Sequence, residues 1–284
     1  MKQGIVRLLF SGVIILASCD RESNTDLNFG DTGVISAVEL QISDEAELIS
    51  EDIMGIAEDV YATDEISTVS KNNYRSDFLP DCAIVTTVTT DTSKEKTIAF
   101  GEGCELPNGN VVSGTMYLSY NKDMGLATKT VELVLENFTF NGVAVSGGAS
   151  VVRTGATEGA NPKGMASWSF EGVWPEGEAT SFEGNRTREW IEGYGSGSWG
   201  DNVFLISGSG THTNRAGKTH TKEIVEPLRK EWSCRFIVSG VLRISRDGNT
   251  ASLDFGDGTC DAKGMLTDAE GNIEEVALRR FSKK

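Results

Sequence analysis

The sequence predicts a mainly β protein: one large antiparallel sheet, or a sandwich of two, built from repeated hairpins behind one short N-terminal helix. Three observations predict it. From Cys82 onward the chain runs in short alternating stretches rich in Val, Ile, Thr and aromatics, the period of strands with one buried face. Turn-forming pairs separate these stretches: Asn108-Gly109, Asn141-Gly142, Ala216-Gly217, Asp247-Gly248 and Gly271-Asn272. Only five prolines occur in 284 residues, so little interrupts a strand ladder.

The elements follow in chain order. Residues 1–7 carry Lys2 and Arg7 and no acid, and an apolar run from Leu8 to Ala17 follows, broken only by Ser11 and Gly12. That run is about half of the roughly 20 residues a membrane-spanning helix needs, and a basic start with a short apolar centre fits a secretory signal peptide. It ends in Leu16-Ala17-Ser18-Cys19, which resembles a bacterial lipobox. The resemblance implies cleavage after Ser18, removal of residues 1–18 and lipid on Cys19. Several acyl chains, at roughly 0.8 kcal/mol per buried CH₂, anchor a protein without any span. Residues 19–32 open with the polar run Asp20–Asp26 and read as a lipidated tether. Asp20 to Asp26 also loosely resembles the acidic export signals of Bacteroidetes surface lipoproteins. Residues 33–74 form a helical segment: Leu48, Ile49, Ile53, Ile56, Ala57 and Val60 recur at steps of three and four, which predicts a surface helix over 44–62. Asp44 and Glu47 have the spacing of a capping box at its start, and Gly55 weakens its interior.

Residues 75–284 form the β domain. Its strands are expected at Val111–Tyr120, Thr130–Phe140, Val143–Arg153, Val203–Thr213, Lys218–Val225, Arg235–Ser245 and Thr250–Phe255, within a total of roughly ten to fourteen. The chain echoes itself. Phe100-Gly-Glu-Gly-Cys104 returns as Phe255-Gly-Asp-Gly-Thr-Cys260, and an apolar residue followed by Ser-Gly occurs at Ser113-Gly114, Ser146-Gly147, Ser207-Gly208 and Ser239-Gly240. The steps from Gly114 to Gly147 and from Gly208 to Gly240 are nearly equal, as repeated hairpins would give. Glycine at such strand positions marks bulges that coil a sheet. Apart from Cys19, four cysteines remain: Cys82, Cys104, Cys234 and Cys260. An exported chain meets an oxidising compartment, so disulfides are expected. Four cysteines allow three connectivities. Spacing favours Cys82–Cys104 and Cys234–Cys260, since each pair brackets one apparent hairpin. By loop entropy each bridge is worth about 3 kcal/mol.

Composition excludes some functions. With Lys+Arg 26 against Asp+Glu 42 the chain carries −16, and loss of Lys2 and Arg7 with the leader makes it more acidic. That balance argues against nucleic acid, whose phosphates need a basic face. No Gly-x-Ser-x-Gly elbow and no phosphate-cradling glycine loop are present, so no catalytic residue is assigned and no cofactor is expected. His212 and His220, the only histidines, face each other if Arg215-Ala216-Gly217 is a three-residue loop; they are weak metal candidates, with Glu223 the nearest third ligand. Asp247, Asp254, Asp257, Asp268 and Glu270 lie in acidic turns without EF-hand spacing. Of five tryptophans, Trp168, Trp174, Trp190 and Trp199 cluster, and alternation places Arg186, Arg188 and Trp190 on one strand face. These six residues read either as tryptophan packed under arginine stems or as a surface for a glycan or protein partner.

The stretches Phe100–Cys104, Asn108–Gly114, Arg186–Gly195, Asp201–Phe204, Cys234–Gly240 and Asp254–Asp261 together resemble a family of uncharacterised β-rich lipoproteins from marine and soil flavobacteria. The resemblance implies a β-rich envelope protein and carries no activity with it. The expectation is therefore a protein lipid-anchored through Cys19, at the periplasmic or cell-surface side of the outer membrane. It is expected to be structural or partner-binding rather than enzymatic. The alternative is a glycan-binding accessory using the tryptophan-rich face.

Overall fold

The computed structural model describes residues 34–69, 79–196, 198, 200–215 and 217–278, with backbone alone at 38, 41–47, 68 and 69. Leu16–Cys19, the 19–32 tether and Trp199 lie outside the described residues. Within them the chain forms one helix, α1 (Ala37–Val69), and thirteen strands. The strands are β1 (Ile84–Thr89), β2 (Ser93–Glu105), β3 (Val111–Asn121), β4 (Thr128–Phe140), β5 (Val143–Thr154) and β6 (Lys163–Val173). They continue as β7 (Ala179–Glu192), β8 (Val203–Thr213), β9 (Thr219–Glu231), β10 (Ile237–Arg246), β11 (Asn249–Asp257), β12 (Lys263–Thr267) and β13 (Ile273–Ala277). Spatial order equals chain order, so this is one antiparallel meander, with no sandwich and no closure of β1 onto β13. No described helix is long and apolar enough to cross a membrane.

Tight turns make the meander. Phe140 pairs with Val143 across Asn141-Gly142, and Arg246 with Asn249 across Asp247-Gly248. All four turn residues have positive φ, the geometry that matches the twist of a two-residue hairpin. The four Ser-Gly glycines, Gly114, Gly147, Gly208 and Gly240, share a second geometry. Each has positive φ, and a Cβ there would lie 2.1 to 2.5 Å from a carbonyl oxygen of the adjacent strand. Pairing slips at Gly114, Gly208 and Gly240, as a bulge requires. The interval from Gly147 to Gly208, about twice the other steps, contains the β6–β7 pair, which runs from Val173↔Ala179 to Lys163↔Glu189 without a slip. Strand β9 runs past the expected end at Val225 and through Pro227. A central strand accepts this proline because the pairing with both neighbours is irregular there.

Both expected disulfides are present, Cys82–Cys104 around the β1–β2 hairpin and Cys234–Cys260 around the β10–β11 hairpin.

The helix differs from expectation. It is 33 residues long rather than short, and Asp44 lies inside it. The cap is Ser36, whose Oγ accepts the Glu39 N–H at 3.3 Å. Buried apolar residues extend beyond the predicted stripe to Ile35, Leu40, Ala62 and Ile66, and Gly55 is itself buried. A stripe predicts a helix covered on one side; this helix is covered around most of its girth. Consecutive helical residues project about 100° apart. Yet Asp64 reaches Lys94 and Lys96 on β2 while Glu65 reaches Arg153 on β5. Glu51 reaches Arg186 on β7 while Asp52 accepts from Asn108 and Asn110 in the β2–β3 turn. The sheet must therefore curl around α1. Two apolar clusters result: Ile53, Ile56 and Val60 with β2–β7, and Ala62 and Ile66 with residues from Trp190 to Val276.

Candidate functional site

The interior between α1 and the sheet holds most of the chemistry. Along each strand the inward positions are apolar near the middle: Ile98 and Phe100, Met116 and Leu118, Val131 and Leu133, Phe170, Phe182, Leu242 and Ile244. The same alternation carries cations inward. Lys94, Lys96, Lys129, Arg153, Arg186, Arg188, His220, Lys222, Lys230 and Arg246 stand in phase with these apolar residues. A bare cation in a low-dielectric interior is costly unless it is paired. The partners come largely from α1.

At the N-terminal end of α1, the Glu39 carboxylate lies 2.7 Å from His220 Nε2 and 2.7 Å from Arg246 Nε, with all three side chains nearly inaccessible. Farther along, Arg186 Nη1 meets Glu51 at 2.7 Å and Arg188 Nη1 meets Glu58 at 2.5 Å. Asp64 accepts from Lys94 and Lys96 at 2.9 Å and from the Tyr120 hydroxyl at 2.7 Å. Burial alone would raise the Asp64 pKa; the hydrogen bonds from Lys94, Tyr120 and Lys96 outweigh it and hold the carboxyl below its usual range. Glu65 accepts from Arg153 Nε at 2.8 Å and from the Tyr194 hydroxyl at 2.8 Å. Burial works against the Arg153 charge, and the Glu65 carboxylate more than restores it. For Lys230 the nearby Glu51 and Glu231 carboxylates restore less than burial removes. Burial and the nearby Arg188 charge push its ammonium down to about 8, and Nζ donates to the Cys234 carbonyl.

A cavity of about 110 Å³ remains between α1 and the sheet. Its walls include Ala57 and Tyr61 of the helix and Leu133, Val151, Arg188 and Ile206 of the sheet. Tyr61 is buried with its ring edge-on to Tyr120, and its hydroxyl makes no hydrogen bond. Burial and the Glu65 carboxylate both raise the Tyr61 pKa, so the hydroxyl keeps its proton.

Of the tryptophan and arginine residues singled out in the sequence, Trp168, Arg186, Arg188 and Trp190 share a face, and it is the one turned to the helix. Trp168 is half-buried beneath Arg186, whose guanidinium lies 5.5 Å from the ring centroid. Trp190 is buried against Phe204 and Tyr194 and donates from Nε1 to Asn202 Oδ1 at 3.2 Å. Arg188 covers Phe204. Trp174 is half-buried, and the Arg215 guanidinium lies 4.2 Å from its ring centroid. The residues described here therefore form a packed inner layer in place of an exposed stacking platform: a sugar could reach Trp190 only by displacing its neighbours.

The histidines are opposed as expected, His212 against His220 with ring centroids 6.3 Å apart. The residue that joins His220 is Glu39 of the helix, while Glu223 points outward to Arg243 at 3.2 Å. Among the described residues no group of three His, Cys, Asp or Glu side chains is placed to hold a metal ion. The acidic turns use their carboxylates locally. Asp268 accepts from the Glu270 and Asn272 backbone N–H groups and from Asn272 Nδ2, and Asp257 from Thr259.

Sequence reasoning missed the belt of inward cations. The signal was present: Arg153, Lys222 and Arg246 share the alternation phase of Val151, Ile224 and Ile244. Their match to acids on α1 needs the fold, since His220 and Glu39 are 181 residues apart in sequence and Arg246 lies farther still from Glu39. Comparison with protein families, with curated proteins and with solved structures finds no match for this chain.

Proposed function

We propose that this protein is a lipid-anchored envelope lipoprotein of the flavobacterial β-rich type, held at the outer membrane through Cys19. Its β-body is a non-catalytic body that docks a partner. The observation that carries the docking reading is the matched helix–sheet interior. A groove for catalysis or sugar binding would lie on the inner face of the curled sheet, and α1 occupies that face, with its carboxylates spent on Arg186, Arg188, Arg153, Lys96 and Arg246. The outer face and the edge strand β1, exposed at all six residues, remain open to a partner. Two disulfides accord with export to an oxidising compartment, and Leu16-Ala17-Ser18-Cys19 after a short apolar run supports lipidation.

Membrane fractionation tests the anchor. The wild-type chain is expected in the membrane fraction and Cys19→Ala in the soluble fraction; a variant that stays membrane-bound contradicts the anchor. A glycan array tests the docking reading. The protein is expected to give no specific signal, and a specific glycan hit would replace a docking body by a glycan-binding one.

A further inference from the structure

The two ends of the meander differ. Strand β1 pairs with β2 alone and strand β13 with β12 alone, so each leaves one row of backbone groups unpaired. Natural sheets blunt such edges with charge, proline, a bulge or an inward-pointing charged side chain. Strand β13 follows that rule: it carries Glu274 and Glu275, and Glu274 is in phase with the buried Val276. Strand β1 does not. Its residues, Ile84-Val-Thr-Thr-Val-Thr89, are all β-branched, none is charged, and all six are exposed. Its pairing with β2 runs from Ile84↔Ala99 to Thr89↔Lys94 without a slip, so no bulge turns the edge aside. An edge that is regular, uncharged and bare on both faces is a template for another strand.

Which backbone groups are free follows from the turn. The Thr90 N–H donates to the Ser93 carbonyl at 2.9 Å, which makes those two a hydrogen-bonded pair. Hydrogen-bonded pairs alternate along an antiparallel ladder. Ile84, Thr86 and Val88 therefore bond to β2, and Val85, Thr87 and Thr89 turn their N–H and C=O groups outward. This free set is symmetric about Thr87. A second β1, laid antiparallel about a two-fold axis at Thr87, satisfies every group in it: Val85 pairs with Thr89 of the second copy, Thr87 with Thr87, and Thr89 with Val85. On the outer surface Thr86 then lies opposite Val88 of the second copy, at the closer spacing of a non-hydrogen-bonded pair. The charge pattern agrees. Strand β1 brings no charge of its own, and the charges next to it, Lys94, Glu95 and Lys96, stay one strand back on β2 of each copy. Two β13 edges would instead set Glu274 and Glu275 near their own copies, and like charges opposed across strands are destabilising.

We propose that β1 is a self-pairing edge: two copies of this chain join antiparallel through β1, with the axis at Thr87, and their sheets run on as one. The inference rests on the docking reading, whose partner it names as a second copy of the chain. Such pairing closes at two, because both chains use the same edge. One short strand edge is a small contact beside a standard interface, so the pairing is tested in intact cells rather than in dilute solution.

Two full-length variants, Thr86→Cys and Val88→Cys, are co-expressed, one of them carrying a size tag, and cross-linked by mild oxidation. Opposed residues of a non-hydrogen-bonded pair have Cα atoms about 4.5 Å apart, within reach of a disulfide. Position 86 and its own copy are offset along the strands and lie beyond that reach, as do position 88 and its copy. The mixture is expected to give a tagged–untagged dimer bridged between positions 86 and 88, identified by peptide mass mapping. Either variant alone is expected to give about tenfold less dimer. Thr87→Pro in both chains removes an outward N–H, leaves the β2 ladder intact, and is expected to lower the mixed yield at least about tenfold. Three results would overturn the proposal: no mixed dimer; as much dimer from one variant alone as from the mixture; or a mixed yield unchanged by Thr87→Pro. Absence of the dimer leaves the docking reading to another partner, whereas a specific glycan signal removes that reading whatever the cross-linking shows.

Discussion

Glu39 shows most sharply what a single side chain does in this fold. It is 3% exposed, and one of its oxygens serves both His220 and Arg246. Removing one partner of a buried ion pair leaves the other charge uncompensated. Glu39→Gln is therefore expected to lower stability by about 3–5 kcal/mol, read as a fall in the denaturant midpoint; a loss below about 1 kcal/mol would mean the pair is solvated. Asp64 gives a pH dependence. Its folded pKa lies below the ordinary value because of Lys94, Tyr120 and Lys96. Its contribution is thus fully present above the unfolded pKa of about 4 and is lost as pH falls through the folded value. Asp64→Asn is expected to lower stability near pH 7 and to flatten the acid limb below about pH 4. Urea midpoints measured across that range check both effects, and an unchanged acid limb would remove Asp64 from the account. None of these pairings could be read from the sequence. Acids on α1 and cations on six strands are each ordinary surface residues until the sheet folds over the helix.

At the scale of elements, the strands were legible and the helix only half so. Val143–Arg153 was expected as a strand and runs Val143–Thr154, because its alternation is regular and Asn141-Gly142 fixes its start. The Ser-Gly echo pointed correctly to places where the sheet bends. Gly114 shows why glycine stands there: with φ at +84°, a Cβ would be 2.1 Å from the Asn137 carbonyl oxygen. Gly114→Ala should therefore cost more than about 2 kcal/mol. Gly217 is the control, with φ +74° and open space around it, so Gly217→Ala should cost about 1 kcal/mol from backbone strain alone. Equal losses in thermal denaturation would show that the close approach at Gly114 is not the constraint. The helix was underestimated because a one-sided stripe is the signature of a surface helix, and α1 is enclosed. Its acidic residues, which resemble a solvated face, are in large part interior ion-pair partners.

At the scale of the whole molecule, the predicted hairpins with their turns and disulfide staples assemble into one sheet that curls around a long helix. The sequence pattern could not choose between one sheet and two, because both bury every second residue. The curling decides it, with bulges at the repeated glycines and a charged helix as the core on which the sheet closes. The candidate site was less legible than the fold. Trp168, Arg186, Arg188 and Trp190 stand on one face, and that face turns inward, which alternation alone cannot tell. What this body does depends on where it is held, and the proposed anchor is the lipid on Cys19. The most direct measurement is the intact mass, with N-terminal peptide mapping, of the protein purified from membranes. The account predicts a mature chain whose first residue is Cys19 bearing acyl groups. An unmodified Cys19, or a chain that begins anywhere else, would contradict it.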